Sequence, residues 1–188
     1  MIYKVIEKHM EKMMIDLIVL DIDGVLTDGK KYYDATGIPF AKTYCDKDFT
    51  AIKRFRGSGV QVCFLSGDKN INEQMASNRK IPFYYSRGKD KADFLEELSS
   101  RFSTSPEKMV YVGDDLFDLS IMKKVGYAFC PSDACRDLLH FCTSKGNTLM
   151  SKGGENVIEE LFNDLLDRDL IKDCTIEDIE NLDKLEVF

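Results

Sequence analysis

The chain has 188 residues, of which 44% are hydrophobic and 31% are charged, and its formal net charge is −7. These proportions are ordinary for one soluble globular domain that buries a real core. No stretch approaches the roughly twenty apolar residues that a membrane-spanning helix needs, and the acidic balance argues against nucleic-acid binding through a broad basic face.

The acidic charge is concentrated near the C-terminus, where residues 163–188 contain nine acidic and three basic side chains. We therefore divide the chain into an N-terminal extension (1–14), a body (15–166) and an acidic C-terminal tail (167–188). The extension mixes charged and apolar residues, which favours a short amphipathic helix or a frayed terminus over a signal peptide. The six cysteines include no Cys-x-x-Cys pair, and this usage indicates reduced thiols and a cytoplasmic protein.

The first predicted strand covers residues 15–20 and is followed by two aspartates, Asp21 and Asp23. Five of its six residues are apolar, which is typical of a buried strand. Residues i and i+2 of an extended chain point to the same side, so the two carboxylates would repel each other unless a cation or a shared proton holds them. Carboxylate oxygens suit Mg²⁺. The sequence therefore predicts a magnesium site here, beside a turn in which Gly24, Thr27 and Gly29 permit close approach to a ligand.

The rest of the body alternates strands with helices. Residues 30–44 contain two aromatic-rich segments around the turn at residues 34–37, which predicts a β-hairpin. Further strands are predicted at 60–65, 82–85, 109–112 and 127–130, and helices at 48–56, 71–79, 90–102, 116–124, 133–140 and 155–166. This alternation predicts a parallel sheet covered on both faces, which is an α/β fold of the Rossmann-like kind.

Polar strings follow three of the predicted strands, at residues 21–29, 66–68 and 113–118. Parallel α/β sheets bind their ligands beyond the carboxyl ends of the strands, where the strand order reverses. We therefore expect these three strings to converge on one edge of the sheet.

The run Asp21-Ile22-Asp23-Gly24-Val25 resembles the D-x-D-G-x-T/V motif of the haloacid dehalogenase (HAD) superfamily. Its extension through Gly29 resembles the capless sugar-phosphate phosphatases of that superfamily, which act on 3-deoxy-octulosonate 8-phosphate or nonulosonate 9-phosphate. The resemblance covers residues 15–166. It implies a three-layer α/β/α HAD fold with no cap domain and with a β-hairpin after the nucleophile strand.

The resemblance also implies a role for each acidic residue. Asp21 would attack phosphorus and form an aspartyl-phosphate, while Asp23 would protonate the leaving sugar oxygen and later activate water. Mg²⁺ would be held by Asp21, the backbone carbonyl of Asp23 and Asp114. Asp115 would hold metal-bound water, and Asp118 would orient the catalytic lysine. Taken alone, the string at 113–118 could be only a capped helix start.

The remaining site residues are predicted from the same resemblance. Ser66 would donate a hydrogen bond to a phosphate oxygen, with the Gly67 backbone N–H beside it. Lys91 fits the position of the catalytic lysine, with Lys89 as the second candidate, and its cation would neutralise the phosphoryl oxygens. The predicted set for binding substrate phosphate is Asp21, Asp23, Gly24, Thr27, Ser66, Gly67 and Lys91.

No cap domain fits between the predicted motifs, so the site would be open to water. In the capless phosphatases that this chain resembles, tetramers cover the site by packing hairpins together, and the resemblance implies a homotetramer. The hairpin aromatics Tyr32, Tyr33, Phe40 and Tyr44 suit such an interface. The alternative is that these side chains fold onto the protein's own sheet.

Three departures from the family pattern affect the prediction. The octulosonate enzymes usually carry Thr-Gly-Arg after the second strand, where this chain has Ser66-Gly67-Asp68-Lys69. Loss of an arginine that suits carboxylates favours the nonulosonate branch. Phe49 replaces a loop glycine, and Glu159 replaces an arginine after the pair Gly153-Gly154.

We therefore predict a Mg²⁺-dependent phosphatase of a phosphorylated 3-deoxy-2-ulosonic acid, such as a nonulosonate 9-phosphate. One alternative is the same chemistry on octulosonate 8-phosphate or on a broader set of sugar phosphates. Another is a non-catalytic assembly domain, although such domains commonly lose the acids that are present here. A phosphomutase would need a cap to retain its intermediate.

Overall fold

The computed structural model describes residues 14–187, so the expectation for the first 13 residues falls outside the described part of the chain. The described residues form seven strands and seven α-helices. The strands are β1 (Leu17–Leu20), β2 (Tyr32–Tyr33), β3 (Pro39–Ala41), β4 (Gln61–Ser66), β5 (Phe83–Tyr85), β6 (Met109–Val112) and β7 (Tyr127–Phe129). The helices are α1 (Asp46–Gly57), α2 (Asn70–Asn78), α3 (Leu95–Phe102), α4 (Leu119–Met122), α5 (Arg136–Thr143), α6 (Val157–Asp167) and α7 (Ile176–Asp183).

Strand β1 lies at the centre of a five-stranded parallel sheet with the order β5-β4-β1-β6-β7. The chain first extends the sheet on one side of β1, through β4 and β5, and then on the other side, through β6 and β7. Leu20 pairs with Phe64 of β4 and with Val112 of β6. The carboxyl ends of these three strands are therefore neighbours, at the point where the strand order reverses.

Helices cover both faces of this sheet, and the side chains of β1 alternate between them. Leu17 and Val19 belong to one hydrophobic cluster, together with side chains of α3, α4 and α5. Ile18 and Leu20 belong to a second cluster, together with side chains of α1 and α6. All four β1 side chains are fully buried, as expected for a parallel strand covered on both faces. The predicted three-layer α/β fold is confirmed.

The β2–β3 hairpin stands apart from the main sheet as a separate two-stranded antiparallel sheet. Its turn is held by Asp34, whose Oδ1 accepts hydrogen bonds from the backbone N–H groups of Thr36 and Ile38. The hairpin and α1 are the only elements between β1 and β4, all of them within the described residues. The described chain thus has no cap domain at this position.

Three helices begin differently from the predicted ones. Helix α1 begins at Asp46 and includes Phe49, which is buried with the Arg79 guanidinium 3.2 Å from its ring centroid. The family's glycine position is therefore part of a regular helix. The predicted helices at 90–102 and 116–124 begin instead as 3-10 turns, with Asp90 and Asp115 as N-caps whose carboxylates accept hydrogen bonds from the N–H groups of Ala92 and Leu116.

The acidic segment beyond residue 166 packs against the body. Leu170 and Ile171 are buried in the same hydrophobic cluster as α6. Helix α7, which was not predicted, packs on α1 and begins with a capping box between Thr175 and Asp178. The segment also forms ion pairs with α1 and with the end of α2, joining Lys53 to Asp183 and Glu186, Arg54 to Asp173, and Arg79 to Glu186. The domain boundaries at residues 14 and 166 stay predictions.

The described residues also give the state of the thiols and the lengths of the helices. All six cysteines are free, and Cys63 and Cys130 are buried in or beside strands of the main sheet. No helix in residues 14–187 combines the length and the apolar character needed to cross a membrane. The cytoplasmic location stays a prediction.

Candidate active site

The three polar strings meet at the carboxyl edge of the sheet, beyond β1, β4 and β6. Asp21 follows β1, Ser66 ends β4, and Asp114 follows β6 after one glycine. They line a cavity of about 630 Å³, a size typical of small-molecule sites. The other lining residues are Asp23, Gly29, Lys31, Gly67, Asp68, Ser86, Arg87, Gly88, Lys89, Lys91, Asp115, Phe117 and Asp118.

Asp21 is held at the floor of this cavity. Its backbone N–H extends the β1–β6 pairing by donating to the Val112 carbonyl, and the residue as a whole is only 8% exposed. Its Oδ1 accepts a hydrogen bond from the Ile22 N–H at 2.7 Å, and its Oδ2 accepts one from Lys91 Nζ at 2.8 Å. Burial raises the pKa of Asp21 to about 7; Asp118 adds to this effect and Lys91 opposes it.

Lys91 joins two carboxylates at the centre of the site. Its ammonium group lies 2.8 Å from Asp21 Oδ2, 2.6 Å from Asp118 Oδ1 and 3.1 Å from the Tyr111 hydroxyl. Burial alone would lower the pKa of Lys91, but the two carboxylates outweigh it and raise this pKa above its ordinary value. The second candidate, Lys89, is exposed and has its ammonium group 5.4 Å from the ring centroid of Phe94. Of the two lysines, Lys91 is therefore the one that contacts Asp21.

Asp118 has no lone pair left for a further partner. Its Oδ1 accepts from Lys91 and from the Tyr111 hydroxyl, and its Oδ2 accepts from the backbone N–H groups of Asp114 and Asp115 at 3.0 and 3.1 Å. A carboxylate offers about four acceptor positions, so all are used. Gly113 makes this arrangement possible, because a Cβ there would lie 2.4 Å from Asp118 Cγ.

Asp21 and Asp114 provide the oxygens that suit a divalent cation. One carboxylate oxygen each from Asp21, Asp114 and Asp118 lie within 4.8 Å of one another. Burial, followed by repulsion from Asp21, Asp118 and Asp115, raises the pKa of Asp114 to about 8. Gly24 lies against this group, since a Cβ there would fall 1.9 Å from Asp114 Oδ2. The hard oxygen donors and the crowding of like charge fit Mg²⁺.

Asp23 is placed beside Asp21 but faces different partners. Its carboxylate, 22% exposed, contacts Lys42 Nζ at 2.7 Å and Asn72 Nδ2 at 3.0 Å. Its side chain is outside the group of three carboxylates described above; the prediction for Asp23 concerned its backbone carbonyl. Asn72 Nδ2 also lies 3.2 Å from Ser66 Oγ, so Ser66 and Asp23 share a neighbour.

Comparison with known proteins identifies the family. Residues 68–158 match the profile of the haloacid dehalogenase-like hydrolases. The chain is 28% identical to the 3-deoxy-D-manno-octulosonate 8-phosphate phosphatase KdsC of Haemophilus influenzae over 81% of this chain and 83% of that protein. The crystal structure of a probable YrbI family phosphatase from Pseudomonas syringae is 30% identical over 83% of this chain and 87% of the other, and superposes with a TM-score of 0.73. The cobalt-bound structure of the Haemophilus influenzae phosphatase superposes with a TM-score of 0.73 at 28% identity, covering 81% of this chain and 88% of the other.

The chain belongs to the haloacid dehalogenase-like hydrolases. Within this family it is similar to phosphatases of the KdsC type, and it is a phosphoric monoester hydrolase. The family profile covers the segment that carries Lys91, Asp114 and Asp118, and the relatives extend the likeness over most of the chain.

Two residues of the predicted HAD site occupy different places from those expected. Thr27 has no exposed surface, and its hydroxyl accepts hydrogen bonds from the N–H groups of Gly24 and Gly29 and donates to the Ile22 carbonyl. Thr27 therefore shapes the loop after Asp21, and in this structure it cannot reach a substrate. Gly24 packs against Asp114 and does not line the cavity, because the loop folds it under the two aspartates.

The Gly153-Gly154 pair also supports this loop. A Cβ at Gly153 would lie 2.3 Å from the Gly24 carbonyl oxygen, and the Gly154 N–H donates to the Val25 carbonyl. Glu159, which replaces the family's arginine, lies in the first turn of α6, where its backbone N–H donates to Asp48. The glycine pair thus packs against the loop that follows β1 and helps to hold that loop in place.

Sequence reasoning missed four residues that contact the predicted site. Lys31, Lys42 and Asn72 surround Asp23 and Asp68, and Tyr111 contacts Lys91 and Asp118. Tyr111 lies in β6, where an aromatic residue is expected as packing. Lys31 and Lys42 flank the two hairpin strands. Their places at the base of a hairpin that follows the Asp21 loop were the signal in the sequence that could have indicated a contact with the site.

Proposed function

We propose that this HAD hydrolase is a Mg²⁺-dependent phosphatase of a phosphorylated 3-deoxy-2-ulosonic acid. The observation that carries the proposal is the Lys91 ammonium, which bridges Asp21 and Asp118 beside Asp114 at the reversal point of the sheet. This arrangement supplies a nucleophilic carboxylate, a cation for the phosphoryl oxygens and a divalent-metal site, which are the requirements of phosphoryl transfer.

In the proposed reaction, Asp21 Oδ attacks phosphorus while the bond from phosphorus to the sugar oxygen breaks. The electron pair of that bond goes to the sugar oxygen, which takes a proton from Asp23. Water then attacks the aspartyl-phosphate and gives a proton to Asp23, so that inorganic phosphate leaves and Asp21 is regenerated. Lys91 and Ser66 bind the phosphoryl oxygens throughout.

Asp21 and Asp114 would hold the Mg²⁺ ion, with the Asp23 backbone carbonyl, and Asp115 would hold its water. The ion would supply positive charge at the phosphoryl group and permit the carboxylates to remain ionised together. The role of Asp118 is to orient Lys91, because its own lone pairs are occupied. The existence of a cobalt-bound form of the Haemophilus influenzae relative supports the dependence on a metal ion.

The cations at the cavity mouth support a substrate with a second anionic group. Lys31, Arg87 and Lys89 line the cavity in addition to Lys91. Arg87 is exposed and forms no ion pair within residues 14–187. A guanidinium with free donors suits the carboxylate of a sugar acid. The names of the relatives favour octulosonate 8-phosphate, whereas Asp68 in place of arginine favours a nonulosonate 9-phosphate.

A phosphate-release screen with Mg²⁺ tests this proposal. The panel contains octulosonate 8-phosphate, a nonulosonate 9-phosphate, hexose 6-phosphates and 4-nitrophenyl phosphate. We expect kcat/KM to be at least about tenfold higher for one ulosonate phosphate than for any hexose phosphate, a margin typical of one added polar contact. An Asp21→Asn preparation controls for contaminating phosphatases. Equal or faster turnover of hexose phosphates would contradict the proposed substrate class.

We also propose that the protein is a homotetramer in which hairpins pack near the sites. Tyr32, Tyr33 and Phe40 are 57%, 58% and 63% exposed, so these three do not fold onto the main sheet. Tyr44 differs, because it packs against the core and contacts Asn72. Large exposed aromatics are typical of interface anchors. A monomer in sedimentation at micromolar concentration, with full activity, would refute this proposal.

A further inference from the structure

The Asp23 carboxylate is held on both of its oxygens by buried side chains. Lys42 Nζ lies 2.7 Å from Oδ1, and Asn72 Nδ2 lies 3.0 Å from Oδ2. The side chain of Lys42 has no exposed surface, and Asn72 is fully buried. Asp23 itself remains partly exposed to the cavity. Lys42 and Asn72 therefore hold the Asp23 carboxylate in place, while its exposed part lines the cavity where a substrate would bind.

All three donors of Lys42 are used within the protein. Besides Asp23, its ammonium group contacts Asp68 Oδ2 and Asn72 Oδ1, each at 2.8 Å. An ammonium group has three donors and no acceptor, and all three donors of Lys42 contact protein oxygens. Unlike Lys91, Lys42 does not line the cavity, and its side chain has no exposed surface, so a positioning role fits it.

The contacts of Lys42 and Lys31 with Asp68 hold both ends of the hairpin. Lys42 directly follows β3, and Lys31 directly precedes β2. Both ammonium groups lie 2.8 Å from Asp68 Oδ2, in the loop after β4. Two lysines thus balance the charges of Asp23 and Asp68, which makes the burial of Lys42 tolerable. A shift of the hairpin base would move Lys42 and, through it, Asp23.

We propose that Lys42, with Asn72, is a positioning residue that aims the Asp23 carboxyl at the leaving oxygen. The proposal rests on the role assigned to Asp23 above. As the bond from phosphorus to the leaving oxygen breaks, the proton of Asp23 passes to that oxygen and a carboxylate remains. Lys42 and Asn72 stabilise this carboxylate by the two hydrogen bonds already in place. The position of the Asp23 carboxyl affects the rate most when the leaving oxygen is strongly basic, because such an oxygen needs a proton to leave.

The test compares two leaving groups in the variant Lys42→Met. The alkyl substrate is the ulosonate phosphate with the highest kcat/KM in the screen, and the aryl substrate is 4-nitrophenyl phosphate, whose nitrophenolate leaves without a proton. We expect kcat/KM to fall about 100-fold for the alkyl phosphate and less than about tenfold for the aryl ester, since general acid catalysis contributes about 10² or more. The loss should lie in kcat rather than in KM.

Two further variants separate positioning from a general structural effect. Lys42→Arg keeps a cation at this place and should recover at least about tenfold of the alkyl activity lost in Lys42→Met. Lys30→Met removes an exposed lysine next to the same hairpin, whose only ion pair within residues 14–187 is with Asp28, and both activities should stay within about twofold of wild type. These expected changes in activity are small compared with the roughly 10²-fold rate contribution of a correctly placed general acid.

The outcomes distinguish this inference from the proposed function. Equal losses for both substrates in a folded Lys42→Met protein would show that Lys42 only supports the structure, and would overturn the inference while leaving the phosphatase intact. Where Lys42→Met fails to fold, Lys42→Gln replaces it, because it also removes the charge while keeping a polar side chain, and the same selective loss is expected. Absence of any phosphate release from the wild-type protein would overturn the proposed function and this inference together.

Discussion

Asp21 and Asp23 are separated by one residue, yet their carboxylates lie in environments built from different parts of the chain. Asp21 is buried and faces Lys91, which is held by Tyr111 of the neighbouring strand β6 and by Asp118 of the turn after it. Asp23 is partly exposed and faces Lys42 and Asn72, which come from the hairpin and α2. Each carboxylate therefore has its own lysine.

The difference matches the two tasks that we propose for these residues. A nucleophile must stay in line with phosphorus and close to the metal, which suits Asp21, since its backbone pairs with β6 and its buried carboxylate contacts Lys91. An acid and base must meet both the leaving oxygen and the incoming water, which suits a carboxylate open to the cavity. The predictions below perturb one environment at a time.

The largest expected effect comes from removing the nucleophile. Asp21→Asn should reduce kcat by at least about 10⁴-fold, because an amide cannot form the acyl phosphate and loss of a nucleophile has effects of this size. Circular dichroism checks that the variant remains folded. Turnover within about tenfold of the wild-type rate would refute the mechanism. Asp23→Asn, in contrast, should lower kcat/KM less for 4-nitrophenyl phosphate than for an alkyl phosphate.

The second prediction concerns the metal on the Asp21 side. Excess chelator should abolish phosphate release, and added Mg²⁺ should restore it, because the buried carboxylates otherwise repel each other and the phosphate. Asp114→Asn should raise the Mg²⁺ concentration for half-maximal activity by about 100-fold. Full activity in chelator contradicts the metal site, and an unchanged Mg²⁺ dependence in Asp114→Asn would favour Asp115 as the ligand.

The third prediction separates the two candidate lysines. Lys91→Met should lower kcat about 10²- to 10³-fold, since it removes the cation that faces the phosphoryl oxygens. Lys89→Met should cost less than about tenfold, because its ammonium group lies over Phe94 at the cavity mouth. Steady-state kinetics on the same substrate decides between them. A larger loss in Lys89→Met than in Lys91→Met would reverse the assignment.

The smallest effect is expected from the Tyr111 hydroxyl. Tyr111→Phe removes one hydrogen bond from Asp118 and one from Lys91, and a loss of about 1 kcal/mol corresponds to a decrease in kcat of about five- to tenfold. Tyr84→Phe is the matched control, because its buried hydroxyl has no hydrogen-bond partner among the described residues. If both variants behave alike, the Tyr111 contact has no role in catalysis.

The sequence predicted the parts of the molecule in which a local pattern carries the information. The alternation of apolar runs indicated the parallel sheet, and the polar strings after three strands indicated the edge where Asp21, Ser66 and Asp114 meet. Lys91 was predicted as the catalytic lysine, ahead of Lys89, because it follows Asp90 in an Asp-Lys pair before a predicted helix. The position of Asp118 next to that lysine also followed from the resemblance.

The residues that were missed depend on contacts between distant segments. Lys42 and Asn72 are 30 residues apart, and neither has an unusual local pattern, because a lysine in a hairpin and an asparagine in a helix are normally solvated. For Thr27, the motif position predicted a ligand contact, whereas its hydroxyl forms hydrogen bonds within the loop. Helix α7 was missed because its acidic composition resembled a solvated tail.

We propose that the two aspartates divide the reaction, with Asp21 alone carrying the phosphoryl group. Rapid acid quench during turnover of the ulosonate phosphate, followed by borohydride reduction and peptide mapping, tests this division, because borohydride converts an aspartyl-phosphate to homoserine. We expect homoserine at position 21, dependent on substrate and Mg²⁺, with Asp23 unmodified. Steady turnover with no modification at position 21, or with modification at position 23, would contradict it.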